Sequence, residues 1–161
     1  MKLADIPKTT KTFWKALGEK ICNMIRARVQ KDHKNAGSQG FNDYSEKYAE
    51  RKEQNKARAK GASQQSTSTN PDMTLTGKTM SNLQVHTVTD KNVIIGWIEI
   101  FAQRVQHLHD MKKRNYKIVN IGSGDPFAKK EMDFIDKQIN SDIDKKIKAY
   151  CKTPIIIKVG T

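Results

Sequence analysis

Cysteine is scarce in this sequence, with two in 161 residues. That excludes a disulfide framework and leaves at most one bridge, between Cys22 and Cys151. Both lie in helical patterns, and each reads most simply as a small buried apolar residue. Long apolar runs are also missing. No segment approaches the roughly 20 apolar residues that span a bilayer. The N-terminus has Lys2 but no uninterrupted apolar stretch behind it, so no signal peptide is expected. A soluble product made in the cytoplasm, without a membrane partner, is the resulting expectation. Apolar residues make up 36% of the chain and the mean hydropathy is −0.75. The core is therefore modest, and bound neighbours would add to its stability.

Acidic side chains are outnumbered, 17 against 30 basic ones, for a net charge of +13. This balance favours a polyanionic setting: nucleic acid, an anionic membrane surface or an acidic protein. Residues 1–70 carry +8 and residues 71–161 carry +5, so there is no purely basic tail. The length suits a single domain over 1–161.

Sequence signals for catalysis are missing too. His107 and His109 sit two apart, and on a helix their rings would point about 200° away from each other. They cannot share a metal ion there, and His33 and His86 have no partner pattern. Gly122-Ser123-Gly124 lacks the Gly-Lys-Ser/Thr continuation of a phosphate loop. Asp125 and Glu131 form a conceivable acid/base pair, but no nucleophile or oxyanion site accompanies them. No cofactor or metal is expected, and nothing indicates an enzyme. No zinc finger, single-stranded RNA platform or homeodomain-like pattern is visible, so any DNA contact would be to phosphates and steeply salt-dependent.

The stretch Pro71–Val85 divides what is present. Before it, Thr9 or Thr10 can cap a helix running to about Asp32. Phe13, Leu17, Ile21, Ile25 and Val29 form its stripe, widened by Trp14, Cys22 and Met24. Lys15, Lys20, Arg26, Arg28 and Lys31 are expected to cover its solvated face. Asn35 to Gly40 is a loop, with Asn35, Gly37 and Gly40 supplying the turn chemistry. Ser45 can cap a second helix containing Tyr48, Ala49, Arg51 and Lys52. Its polar far end, from Glu50 to Lys60, should project into solvent or onto a partner. Residues 61–70 read as a mobile Ser/Thr/Gln linker.

Within the dividing stretch, Leu75-Thr76-Gly77 reads as a turn into a short helix capped by Thr76, with Leu75 and Met80 stapling the cap. Leu83 to Thr89 then alternates as a strand. Asn92 to Trp97 is its hairpin partner, joined through Asp90-Lys91-Asn92, and Gly96 suggests a bulge or a close backbone approach. Ile98–Lys113 reads as a helix and Tyr116–Ile121 as a short strand. Pro126 opens the last long helix, which reaches about Tyr150. Its stripe is Ile135, Ile139, Ile143, Ile147 and Cys151, with Phe127, Met132 and Phe134 at the start. Pro154 ends it. Residues 152–161 form an extended tail whose Ile155, Ile156 and Ile157 suit a strand added to a sheet edge, its own or a neighbour's. Stripes at spacing four drift about 40° per step. The two long helices should therefore cross obliquely or wrap a sheet.

In four places the chain resembles the phage virion-morphogenesis and tail-completion proteins that act at the neck between head and tail. The first is Phe41, Tyr44, Ser45, Tyr48, Ala49, Arg51 and Lys52. The second is Leu75-Thr76-Gly77 with Met80, Leu83 and Val85. The third is Ile95-Gly96, then Ala102 and Gln106-His107. The fourth is Ile121-Gly122, then Pro126-Phe127. The resemblance covers roughly residues 10–150. It departs at Leu108-His109-Asp110, where the family has glycine after Gln-His, and at Arg114, which stands well upstream of Pro126.

The resemblance implies an α+β structural protein of the virion. Long N-terminal and C-terminal helices would pack on a small, mainly antiparallel β-sheet, with an extended polar loop. Such proteins assemble with themselves as a ring, often of six copies, joining the tail tube to the head connector. Head-connector and tail-tube or tail-terminator proteins are the implied partners, with nonspecific contact to genomic DNA in the channel. Tyr48, Arg51, Leu75, Thr76, Gly77, Gly96, Gln106, His107, Pro126, Phe127 and Ile155 to Ile157 are the candidate interface or fold-defining residues. The alternative is a small cytosolic nucleic-acid-binding protein that touches phosphates through its basic surface.

Overall fold

In a computed structural model, residues 9–57, 66–74, 78–97, 102, 116–119 and 126–152 are described. Their elements are α1 (Lys11–Gln30), α2 (Glu46–Glu53), α3 (Lys78–Ser81), β1 (Leu83–Val88), β2 (Val93–Trp97) and α4 (Lys129–Lys152). The architecture is α+β: two long helices and a two-stranded antiparallel sheet.

Thr10 caps α1, its hydroxyl accepting from the Phe13 N–H at 3.3 Å. This satisfies one of the four backbone donors that a helix start leaves unpaired. The spacing-four stripe does what its pattern predicts: Leu17, Ile21, Ile25 and Val29 are buried. The same face lies on the sheet, and Gly18 permits the close approach. A Cβ built there would stand 2.7 Å from Val93 Cγ2 and 2.9 Å from Val85 Cγ2.

α2 is shorter than its polar composition suggests. Ser45 occupies the N-cap position without making a side-chain cap bond. Asn55 adopts the left-handed conformation, φ 56°. The Lys56 N–H bonds to Arg51 O at 2.7 Å and the Asn55 N–H to Lys52 O at 3.0 Å. That pair of bonds closes the helix as a Schellman cap, with Asn taking the usual glycine place. Between α1 and α2 the left-handed residues are His33, φ 54°, and Ser38, φ 61°, and not either glycine. Asn35 does supply turn chemistry, as its side chain accepts from the Gln39 N–H at 3.0 Å.

The hairpin follows the alternation. β1 pairs with β2 from Leu83↔Trp97 to Val88↔Val93. Its register shifts between Val85 and Thr87, so the irregularity falls at His86 on β1. Gly96 is paired in register with Gln84, so the bulge lies on the opposite strand from the glycine expected to mark it.

Residues 116–119 form no strand. Tyr116 and Ile118 are buried in the core. The Lys117 carbonyl accepts from the Ala36 N–H, and the Ile118 carbonyl accepts from Arg28. A loop and a guanidinium take the bonds that a neighbouring strand would otherwise supply.

α4 runs antiparallel to α1. Asp142 and Lys146 meet Thr9 ahead of α1, and Glu131 meets Arg28 near its end. The apolar stripe of α4 splits. Ile135 and Ile139 pack on the core, whereas Ile143 and Ile147 are exposed. Cys151 is exposed as well, contrary to its expected burial, while Cys22 is buried, and both are free thiols. The physical reason is reach: α4 continues past the start of α1, beyond the surface it packs on. The expected helix over Ile98–Lys113, the Thr76 cap and the Ile155–Ile157 tail lie outside the described residues, apart from Ala102, which is helical.

Candidate functional site

Four ionisable residues that sequence reasoning did not join form two buried pairs. The first closes the middle of the chain. Lys52 on α2 is fully buried, and its Nζ stands 2.6 Å from Asp72 Oδ1. Oδ1 also accepts from the Thr74 N–H at 3.0 Å, and Oδ2 accepts from the Ser66 hydroxyl. Tyr44 completes the enclosure. Its ring centroid lies 5.0 Å from Lys52 Nζ, and its hydroxyl accepts from the Asp72 N–H at 3.3 Å. Tyr48 packs edge-on against Tyr44 at 4.8 Å between centroids.

The electrostatics follow from this geometry. Burial pushes the Asp72 carboxyl up, but hydrogen bonds from Lys52, Ser66 and the Thr74 N–H outweigh burial and hold it below the ordinary value. Burial and the neighbouring Asp72 charge push the Tyr44 phenol up, so it stays protonated at neutral pH. An ionised carboxylate saturated with donors is an anchor, not a proton acceptor waiting for substrate. The expectation that the far end of α2 projects outward fails at Lys52, because Asp72 draws that ammonium inward.

The second pair joins the ends of the chain. Arg28, read from sequence as part of a solvated face, is only 7% exposed. Its Nε donates to Glu131 Oε1 at 2.6 Å and its Nη2 to Oε2 at 3.3 Å. Nη2 also donates to Ile118 O at 2.8 Å and Nη1 to Lys34 O at 3.1 Å. The planar fork thus ties α1, the loop after it, the 116–119 segment and α4. Glu131 also accepts from the Ala128 N–H at 2.9 Å, the return half of a capping box at the start of α4. Both carboxylate oxygens are engaged in these internal bonds.

The chain matches no family model, no curated protein and no solved structure. The residues themselves therefore carry the functional argument.

The described candidate residues fall in three separate places. Tyr48 is half-buried and Arg51 exposed on α2; Gly96 is on β2; Pro126 and Phe127 lead into α4, with Phe127 against the core. Leu75, Thr76, Gly77, Gln106, His107 and Ile155 to Ile157 are outside the described residues. The residues missed were Lys52, Asp72, Arg28 and Glu131 as pairs. Only Glu131 carried a local signal, standing three positions after the residue that precedes the helix.

Among the described residues no group of three or more His, Cys, Asp or Glu is placed to hold a metal ion. No described helix is long and apolar enough to cross a membrane. What the surface offers is contact area. A groove of about 530 Å³ runs between the flank of α1 and β1, lined by Lys15, Glu19, Cys22, Arg26, Val85 and Val88 among others. Ile94 on β2 and Ile143 and Ile147 on α4 are exposed.

Proposed function

We propose that this protein is a structural component of a tailed-phage virion, a neck or tail-completion subunit that joins the tail to the head connector as a ring around the DNA channel. The observation that supports this most is the Lys52–Asp72 pair. It joins the Tyr-Ala-x-Arg-Lys helix to the residues just ahead of Leu75-Thr76-Gly77, two of the four stretches on which the family resemblance rests. Residues twenty positions apart in sequence then meet at one buried junction, which suits a scaffold whose surfaces do the work.

The rest of the molecule is compatible with that role. Its buried charges are spent on internal ties. The exposed β1 edge, Ile94, Ile143 and Ile147 offer surface to neighbours. A net charge of +13 suits a channel wall facing a genome, where lysine and arginine reach phosphates without reading bases.

The test is imaging of particles assembled with and without the protein. Heads and tails that fail to join in its absence, and its recovery in purified particles, support the assignment. Normal tailed particles in its absence defeat it. Nanomolar binding to duplex DNA at physiological salt would favour a free nucleic-acid-binding protein instead, because nonspecific phosphate contact is far weaker.

A further inference from the structure

The free end of α4 carries a face that complements itself. Asp142 and Lys146 point at Thr9 of their own molecule. Ile143 and Ile147 each stand one residue on, about 100° further round the helix. They turn away from α1 and remain 43% and 39% exposed. Asp144 and Lys148 stand one residue further again, in a row parallel to the isoleucines. Both are exposed, and among the described residues neither enters an ion pair. The face therefore presents two apolar knobs, with a negative and a positive group along one rim.

This combination selects its occupant. A polyanion such as nucleic acid would gain from Lys148, but Asp144 would repel it and the isoleucines would go uncovered. An apolar segment without charges would leave both rim groups unmatched. A second copy turned over by a two-fold axis matches both features. The rotation reverses the helix and keeps the charged rim on its own side, so Asp144 of each copy comes opposite Lys148 of the other.

The register follows from the same pairing. Setting Asp144 level with Lys148 of the other copy places the axis at residue 146. Ile143 and Ile147 of the two helices then alternate along the seam at steps of about 3 Å. Rows at spacing four are the ridges that interlock when helices cross obliquely. Lys146 meets its own counterpart beside the axis, but each is already paired with Asp142. The end of α4 also extends past the start of α1, which leaves room for a second molecule to approach.

We infer that two copies of this chain pair antiparallel through residues 143–148 of α4. The contact is isologous and closes at two copies, unlike the head-to-tail contacts that build a ring. It rests on the exposed face alone and not on the neck assignment.

The experiment is sedimentation equilibrium of the full chain at concentrations up to about 0.5 mM, because a contact this small belongs to the low end of interface sizes. Low salt limits screening of the exposed pairs, and a reductant keeps Cys151 from forming disulfides. The full chain should show a concentration-dependent dimer, and Ile147→Asp should remain monomeric. Asp144→Lys and Lys148→Asp, each alone, should weaken self-association about tenfold, because like charges then face each other across the axis. An equal mixture of those two variants should regain the dimer of the full chain, since each supplies the charge the other lacks. All of these changes are at exposed positions, and unchanged urea midpoints would show that the fold is intact. Three results would each overturn the inference: a full chain that stays monomeric, dimers that Ile147→Asp leaves unchanged, or a mixture no better than its separate variants. Dimers that form only when the chain is ended at Lys152 would overturn it as well, by assigning the face to the molecule's own tail.

Discussion

Arg28 and Glu131, 103 residues apart, form a two-point ion pair in which Glu131 is only 2% exposed. Each side of the pair holds further partners. The guanidinium also holds two backbone carbonyls, and the carboxylate also holds a backbone N–H. Such a pair is a poor source of net stability against a well-packed apolar replacement, but its separation is costly.

Breaking the two sides separately should therefore cost more in sum than changing both together. Glu131→Gln leaves a buried guanidinium without its counter-charge and should cost about 3–5 kcal/mol. Arg28→Met combined with Glu131→Gln should cost less than Arg28→Met and Glu131→Gln added together. Urea midpoints of the two single variants and the double variant check this. Additive losses would show that the two groups do not act as a pair.

Acid should loosen the middle of the chain through Asp72. Its carboxyl is held below the ordinary value in the folded protein, so the folded state binds its proton less readily than the unfolded one. The stabilisation is then full above the unfolded value of about 3.9 and is lost as pH falls through the lowered folded value. Asp72→Asn lacks this contribution. The stability gap between wild type and Asp72→Asn should be widest at neutral pH and narrow below about pH 4, as read from urea unfolding at a series of pH values.

Gly18→Ala tests how tightly α1 lies on the hairpin. Alanine favours a helix over glycine by about 1 kcal/mol. The added methyl would meet Val93 at 2.7 Å and Val85 at 2.9 Å, and crowding of this kind costs about 1–3 kcal/mol. A net loss in melting temperature is expected, with recovery when Val93→Ala removes the nearest methyl. A more stable Gly18→Ala single variant would mean that the contact is loose.

The two cysteines should separate by reactivity. Cys151 is exposed, whereas Cys22 is buried and burial pushes its thiol up, leaving little thiolate to react. A thiol reagent should label one site promptly in native protein and the second only as the chain unfolds. Prompt labelling of both would contradict the packing of α1.

Much of the fold was legible because it rests on local patterns. The stripe from Leu17 to Val29, the Thr10 cap and the Leu83–Trp97 hairpin each announce themselves within a few residues. Of the four buried charges, only Glu131 does. Lys52 looks like its solvated neighbours Arg51 and Glu53, and only the approach of Asp72 twenty positions later draws it inward. The split stripe of α4 was hidden for a related reason. Ile139 and Ile143 repeat the same spacing, and what separates them is where α1 begins.

The Arg28–Glu131 link also has a consequence in time. A ribosome adding about 5–20 residues per second needs roughly 5–20 s to reach Glu131 after making Arg28. For that interval the hairpin can already cover the leucine and isoleucines of α1, but its arginine is without a counter-charge. The first helix made is thus among the last to be fully secured, and its tie to the end of the chain closes only after release of the last helix from the ribosome begins.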